Sequence, residues 1–138
     1  MPGEDRQIVA AVVEQAEKLL EEGRAAEAVE ILIVGTTAFP ESARLWNRLG
    51  SVFAGQGDRV AALGYYIRAF EIDPGHRETV VDCFRMFRRA GDDEDALDLA
   101  AAYVDLRPED HRFAADLADA RREIARKKTR PAGERQSS

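Results

Sequence analysis

Residues 46–74 read WNRLGSVFAGQGDRVAALGYYIRAFEIDP. The segment has a helical pattern, yet glycine falls at Gly50, Gly55, Gly57 and Gly64, alanine at Ala62 and Ala69, and a proline, Pro74, closes it. Gly57 ends one helix and Pro74 ends the next, because proline lacks the amide hydrogen a helix needs and clashes with the preceding turn. Two helices of about 12–14 residues, each roughly 20 Å long, follow from that punctuation. Gly50 on the first and Ala62 on the second remove side chains where an antiparallel pair would cross. Trp46, Leu49, Phe53 and Tyr66 supply the bulk around that crossing.

The same reading extends in both directions. In RQIVAAVVEQAEKLLEEG, residues 6–23, Ile8, Val12, Ala16, Leu19 and Leu20 share one apolar face and Gly23 stops the helix. In RAAEAVEILIVGTTAFP, residues 24–40, Ala25, Ala28, Val29, Leu32 and Ile33 do the same before Pro40. The turn glycines Gly23, Gly57 and Gly91 are 34 residues apart, as are Pro40, Pro74 and Pro108, and as are Ala28, Ala62 and Ala96. Three markers with one period define a solenoid of small helix-pair units. Beyond Pro108, residues 109–128 place Phe113, Leu117, Ala120 and Ile124 on one face, the pattern of a helix that caps the last unit. Residues 129–138, TRPAGERQSS, carry no apolar period and are expected to form a disordered basic tail.

Trp46, Leu49, Gly50, Phe53, Ala62, Tyr66, Ala69 and Pro74, at their spacing, resemble the tetratricopeptide repeat. The resemblance covers about 9–42, 43–76 and 77–110. Copy one matches with Val12, Gln15, Ala16, Leu19, Ala28, Leu32, Gly35 and Pro40, and copy three with Val80, Cys83, Phe84, Phe87, Ala96, Ala100, Tyr103 and Pro108. Phe84 and Tyr103 stand where the family has small residues, so looser packing or an altered angle is expected in the third pair. The resemblance implies an all-α solenoid of antiparallel helix pairs wound as a right-handed superhelix, about seven helices in all.

Composition narrows the function. A chain of 138 residues with 45% apolar residues suits one packed domain. No apolar run approaches the roughly 20 residues of a membrane helix, and acidic residues at the N-terminus occupy the place of a signal peptide's basic ones, so a cytoplasmic protein is expected. The net charge of −6 is uneven: from Arg121 onward seven basic residues stand against two acidic ones, a balance of +5, which leaves −11 for the rest. Nucleic-acid binding by so acidic a body is not expected. Cys83 is the single cysteine, incapable of an internal disulfide or a multi-cysteine zinc site. His76 and His111 begin helices, and the acids of GDDEDALD, residues 91–98, sit where a helix dipole favours negative charge. No nucleophile elbow, phosphate loop or zinc-protease motif appears. No enzyme activity, cofactor or metal is expected.

The family's inner-face positions, carried onto this chain, fall at Ala10, Val13, Glu14, Glu17 and Glu21, then at Arg44, Asn47, Arg48, Ser51 and Ala54. The third copy contributes Glu78, Val81, Asp82, Arg85, Arg88 and Arg89. The expected function is a non-catalytic adaptor or scaffold that binds a protein or peptide partner, one with an acidic segment, in a concave groove. Too few basic and amide groups stand at the first copy for the clamp with which some family members hold a terminal carboxylate. The alternatives are a cytosolic chaperone for a secreted substrate, resembling those of type III secretion, and a repeat scaffold that assembles on itself into homo-oligomers.

Overall fold

The computed structural model describes residues 2–129. Its helices are α1 (Gly3–Glu21), α2 (Ala25–Ala38), α3 (Ala43–Gly55), α4 (Arg59–Ile72), α5 (Arg77–Ala90), α6 (Asp93–Leu106) and α7 (His111–Thr129). They pack in chain order as three helix pairs followed by one unpaired helix. The expected tail, apart from Thr129 at the end of α7, lies outside the described residues.

Each turn within a pair is made by the periodic glycine. Gly23, Gly57 and Gly91 adopt φ of +76°, +84° and +82°, a left-handed conformation in which a Cβ is strained. That geometry lets the following N–H reach back over the helix end: Arg24 donates to the Leu19 carbonyl at 2.8 Å, Asp58 to Phe53 at 3.0 Å, and Asp92 to Phe87 at 2.9 Å. Helix starts are capped by side chains as well. Asp58 Oδ1 accepts from the Ala61 N–H at 3.1 Å and Asp110 Oδ1 from the Phe113 N–H at 3.0 Å.

The middle pair crosses at Gly50. A Cβ added there would lie 2.6 Å from Tyr66 Cδ1 and Cε1 and 3.1 Å from the Ala62 carbonyl oxygen. Leu49, Ala62, Tyr66 and Ala69 are buried around this contact, whereas Trp46 and Phe53 are only half-buried. The two form the ends of an aromatic ladder on the flank of the pair. Tyr65 stacks between them, 6.1 Å from Trp46 and 5.3 Å from Phe53. Trp46 Nε1 donates to the Pro40 carbonyl at 2.9 Å, and the Arg68 guanidinium lies 5.7 Å from its ring centre.

In the third pair the two large residues find a common partner. Phe84 and Tyr103 both pack edge-on to Phe113 of α7, at 5.8 and 4.9 Å. The capping helix thus fills the space that these rings open. Tyr103 also anchors its start: the hydroxyl donates to Asp110 Oδ2 at 2.6 Å, and Arg77 Nε donates to the same oxygen at 2.8 Å. The Tyr103 hydroxyl, the Phe113 N–H and Arg77 together hold the Asp110 carboxyl below its usual range. Burial, reinforced by this bond, pushes the Tyr103 phenol up to about 12.

Gly50→Ala should therefore cost about 1–3 kcal/mol by overpacking. Trp46→Ala should fall at the low end of ~3–5 kcal/mol because the ring is half-exposed. Urea denaturation followed by circular dichroism measures both. Asp110→Ala should cost about 1–2 kcal/mol at neutral pH through the lost cap. The carboxyl is more acidic in the folded state, so its contribution is complete above the unfolded value and is lost as pH falls. The gap between variant and parent should therefore close on acidification below about pH 4. Truncation before Glu109 uncovers Phe84 and Tyr103 and should produce aggregation or loss of a cooperative melt.

Candidate protein-binding surface

Helices α1, α3 and α5 touch one another in succession, whereas α2, α4 and α6 make no comparable contact among themselves. The more closely packed row is the inner side of the curved stack, and its outward-pointing side chains form a continuous face.

The inner-face residues expected from sequence separate into three groups. Val13 and Asn47 are buried, at 1% and 0% exposure, and offer nothing to a partner. Val13 belongs to a buried core cluster formed by residues of α1, α2 and α3. Asn47 is enclosed between helices, its Nδ2 donating to Asp82 Oδ2 at 3.1 Å while its Oδ1 has no hydrogen-bond partner among the described residues. A second group, Glu17, Arg48, Glu78 and Arg88, is taken up by ion pairs across the stack. Arg48 Nε lies 3.4 Å from Glu17 Oε1, and Arg48 Nη1 donates to Glu78 Oε1, so one guanidinium joins α1, α3 and α5. Arg88 meets Asp93 at 2.7 Å and Glu123 of α7 at 3.1 Å.

The third group remains presented. Glu14, Arg44, Arg85 and Arg89 are exposed, and none of these four has an ion-pair partner within 4 Å among the described residues. Ser51 and Val81 are half-buried between them, with the Ser51 hydroxyl 3.3 Å from that of Tyr66. Ala54 and Gly55, both exposed, give α3 a low profile between acidic α1 and basic α5.

Asp82 is half-buried in this face. Burial pushes its carboxyl up, and the Asn47 amide opposes the shift. Cys83, beside it, is fully buried, its thiol pushed up to about 12 by burial, which makes it a packing residue. His76 Nδ1 lies 2.7 Å from Thr79 Oγ1 at the start of α5.

Sequence reasoning overlooked the share of α7 in the inner face. Asp116, Asp119 and Glu123 follow Asp82, Arg85 and Arg89 by one 34-residue period. They line a hollow of about 270 Å³ together with Val81, Arg85 and Arg88. Helix α7 is therefore both a cap and a fourth member of the inner row. The ion pairs had a signal too: Glu17 precedes Arg48 by 31 residues and Glu78 follows it by 30, one repeat less about one helical turn.

No family model matches the chain, and no curated protein matches it. Solved structures do. One is the first TPR of Spaghetti (RPAP3) bound to the HSP90 peptide SRMEEVD. Its TM-score is 0.69 at 16% identity, and the match covers 86% of this chain and 97% of that one. A second is the Yersinia enterocolitica type III secretion chaperone SycD in complex with a peptide of the translocator YopD. There the TM-score is 0.71 at 14% identity, covering 88% of this chain and 95% of that one. A third, a mutant of the Thermobaculum terrenum O-GlcNAc transferase, gives 0.63 at 20% identity over 87% of this chain and 23% of that one. The likeness is one of fold, and the chain has the all-α helix-pair solenoid of the tetratricopeptide repeat.

Asp82 is more readily protonated folded than unfolded. Its ionisation therefore subtracts stability as pH rises from the unfolded value through the raised folded one. Asp82→Asn keeps an acceptor for Asn47 and removes the charge. Relative to the parent it should gain stability as pH rises across that window, the reverse of the trend at Asp110, as urea melts over a pH series will register.

Proposed function

We propose that this tetratricopeptide-repeat domain is a non-catalytic protein-interaction module that binds an extended or helical partner segment along the inner row of helices. The observation that carries this reading is the division of charge on that face. Arg48 and Arg88 are engaged by carboxylates of the same chain, while Arg85 and Arg89 project from one helix four residues apart without an ion pair among the described residues. Together with Arg44 they form the basic side on which acidic side chains of the partner would rest. Ser51, Ala54 and Gly55 leave room for its backbone.

Peptides bound to the structurally similar Spaghetti domain and to SycD support the general reading. The likeness to SycD also supports a second, narrower one, in which the module is a chaperone that shields a segment of a secreted protein.

Exposed ion pairs contribute about 0–1 kcal/mol each, so single substitutions should change little. Arg44→Glu, Arg85→Glu and Arg89→Glu combined should abolish capture of partners from the native cell, read by mass spectrometry, with helicity unchanged. Glu71→Lys with Asp98→Lys, on α4 and α6, serves as a control and should retain capture. Undiminished capture by the triple variant would defeat the assignment of the inner face.

A further inference from the structure

The N-terminal flank of the stack has an open apolar crevice between α1 and α2. It measures about 400 Å³ and is lined chiefly by Ile8, Val12, Ile31, Val34 and Ala38, with Glu30 at its edge. Ile8 and Val34 are 44% and 68% exposed, so this surface is uncovered. The repeat explains why it exists. In the middle pair the corresponding positions are Trp46 in place of Val12 and Tyr65 in place of Ile31, and their stacked rings fill the space. Further cover comes from the Pro40 segment that precedes α3, to which Trp46 is hydrogen-bonded. The first pair has smaller side chains at both positions.

Glu30 is the charged residue that lines the crevice, and the helix turn leading into it is acidic. Glu4 and Asp5 lie one turn before Ile8 on α1, and Glu30 lies one turn before Val34 on α2.

At the other end of the described residues, α7 packs against α6 with no second helix of its own among those residues. Its buried face is Phe113, Leu117, Ala120 and Ile124. The rest of its surface carries Ala115, Ala118 and Ala125 beside Arg121, Arg122 and Arg126, with Asp119 ion-paired to Arg122. Small side chains there allow close approach of a second surface, and the arginines beside them that Asp119 does not engage are opposite in sign to the carboxylates near the crevice. Arg121 and Arg126 are exposed and have no ion pair within 4 Å among the described residues.

We propose that copies of this chain associate head to tail, the outer face of α7 of one copy seating on the α1–α2 crevice of the next. Charge complementarity selects this arrangement over a symmetric one. Two acidic borders or two basic faces brought together would repel, whereas crevice against α7 joins opposite charges around an apolar centre. The contact uses different surfaces on the two copies, so it is heterologous and extends a row of molecules unless a rotation closes it. The inner face described above remains open along such a row.

Analytical ultracentrifugation of the full chain tests this. The average mass should rise with protein concentration and fall as salt is added, because the charged borders are exposed. Val34→Asp should remove association by spoiling the crevice, and Arg121→Glu with Arg126→Glu should remove it by reversing the charge of α7. All three positions are exposed, and circular dichroism should confirm unchanged helicity. The decisive sample is an equimolar mixture of the two variants. Each retains one intact surface, so the mixture should form a dimer of one copy of each, and nothing longer. A parent chain that stays monomeric to about 1 mM overturns the proposal. So does a mixture that stays monomeric, or a dimer that survives in the α7 variant alone, which would indicate a two-fold contact through the crevices.

Discussion

At Gly50 one additional carbon would meet the Tyr66 ring at 2.6 Å. The close approach of α3 and α4 depends on its absence. With the backbones that near, Leu49 and Tyr66 are enclosed, and the Tyr66 hydroxyl reaches Ser51 of the inner row. The outer flank is closed by the Phe53–Tyr65–Trp46 ladder, which ties the pair to the segment before it through Pro40. The middle pair is thus the most closely packed unit, with the other two on either side of it. Each neighbour contacts it through a helix whose direction the turn glycines have already fixed.

The outer pairs use the same frame with different fillings. The first has Val12 and Ile31 where the middle pair has stacked rings, and it is left with an uncovered crevice. The third has Phe84 and Tyr103 where small residues would lie, and it gathers Phe113 of α7 between them. Deficit of volume at one end and excess at the other give the two ends different chemistry. After the third pair comes a helix whose start is locked by the Tyr103–Asp110–Arg77 cluster, whereas the first pair carries an exposed apolar crevice.

Charge on the inner row follows a similar economy. Opposite charges on adjacent helices, offset by a repeat less about one turn, neutralise each other and join three helices through Arg48. Such pairs are half-exposed and contribute modestly to stability, yet they decide which side chains of the face stay without an ion pair. The arginines left so are consequently fewer than the arginines on the face.

Much of this protein was legible in its sequence. The 34-residue interval of Gly23, Gly57 and Gly91 is a local backbone requirement, because each glycine adopts positive φ, and local requirements leave a direct mark on residue identity. Pro40, Pro74 and Pro108 mark the ends of the pairs for the same reason, and the apolar faces of the helices follow from periodicity alone. What only the tertiary structure decided was the fate of individual side chains at the contacts between helices. Val13 and Asn47 occupy inner-face positions by repeat number but are buried, because helices one repeat apart lie close enough to enclose them. Asp116, Asp119 and Glu123 join the inner face because α7 lies beside α5, with Phe113 against Phe84 and Glu123 paired with Arg88. Burial and ion pairing depend on distances between segments some 30 or more residues apart, and no local pattern encodes those distances.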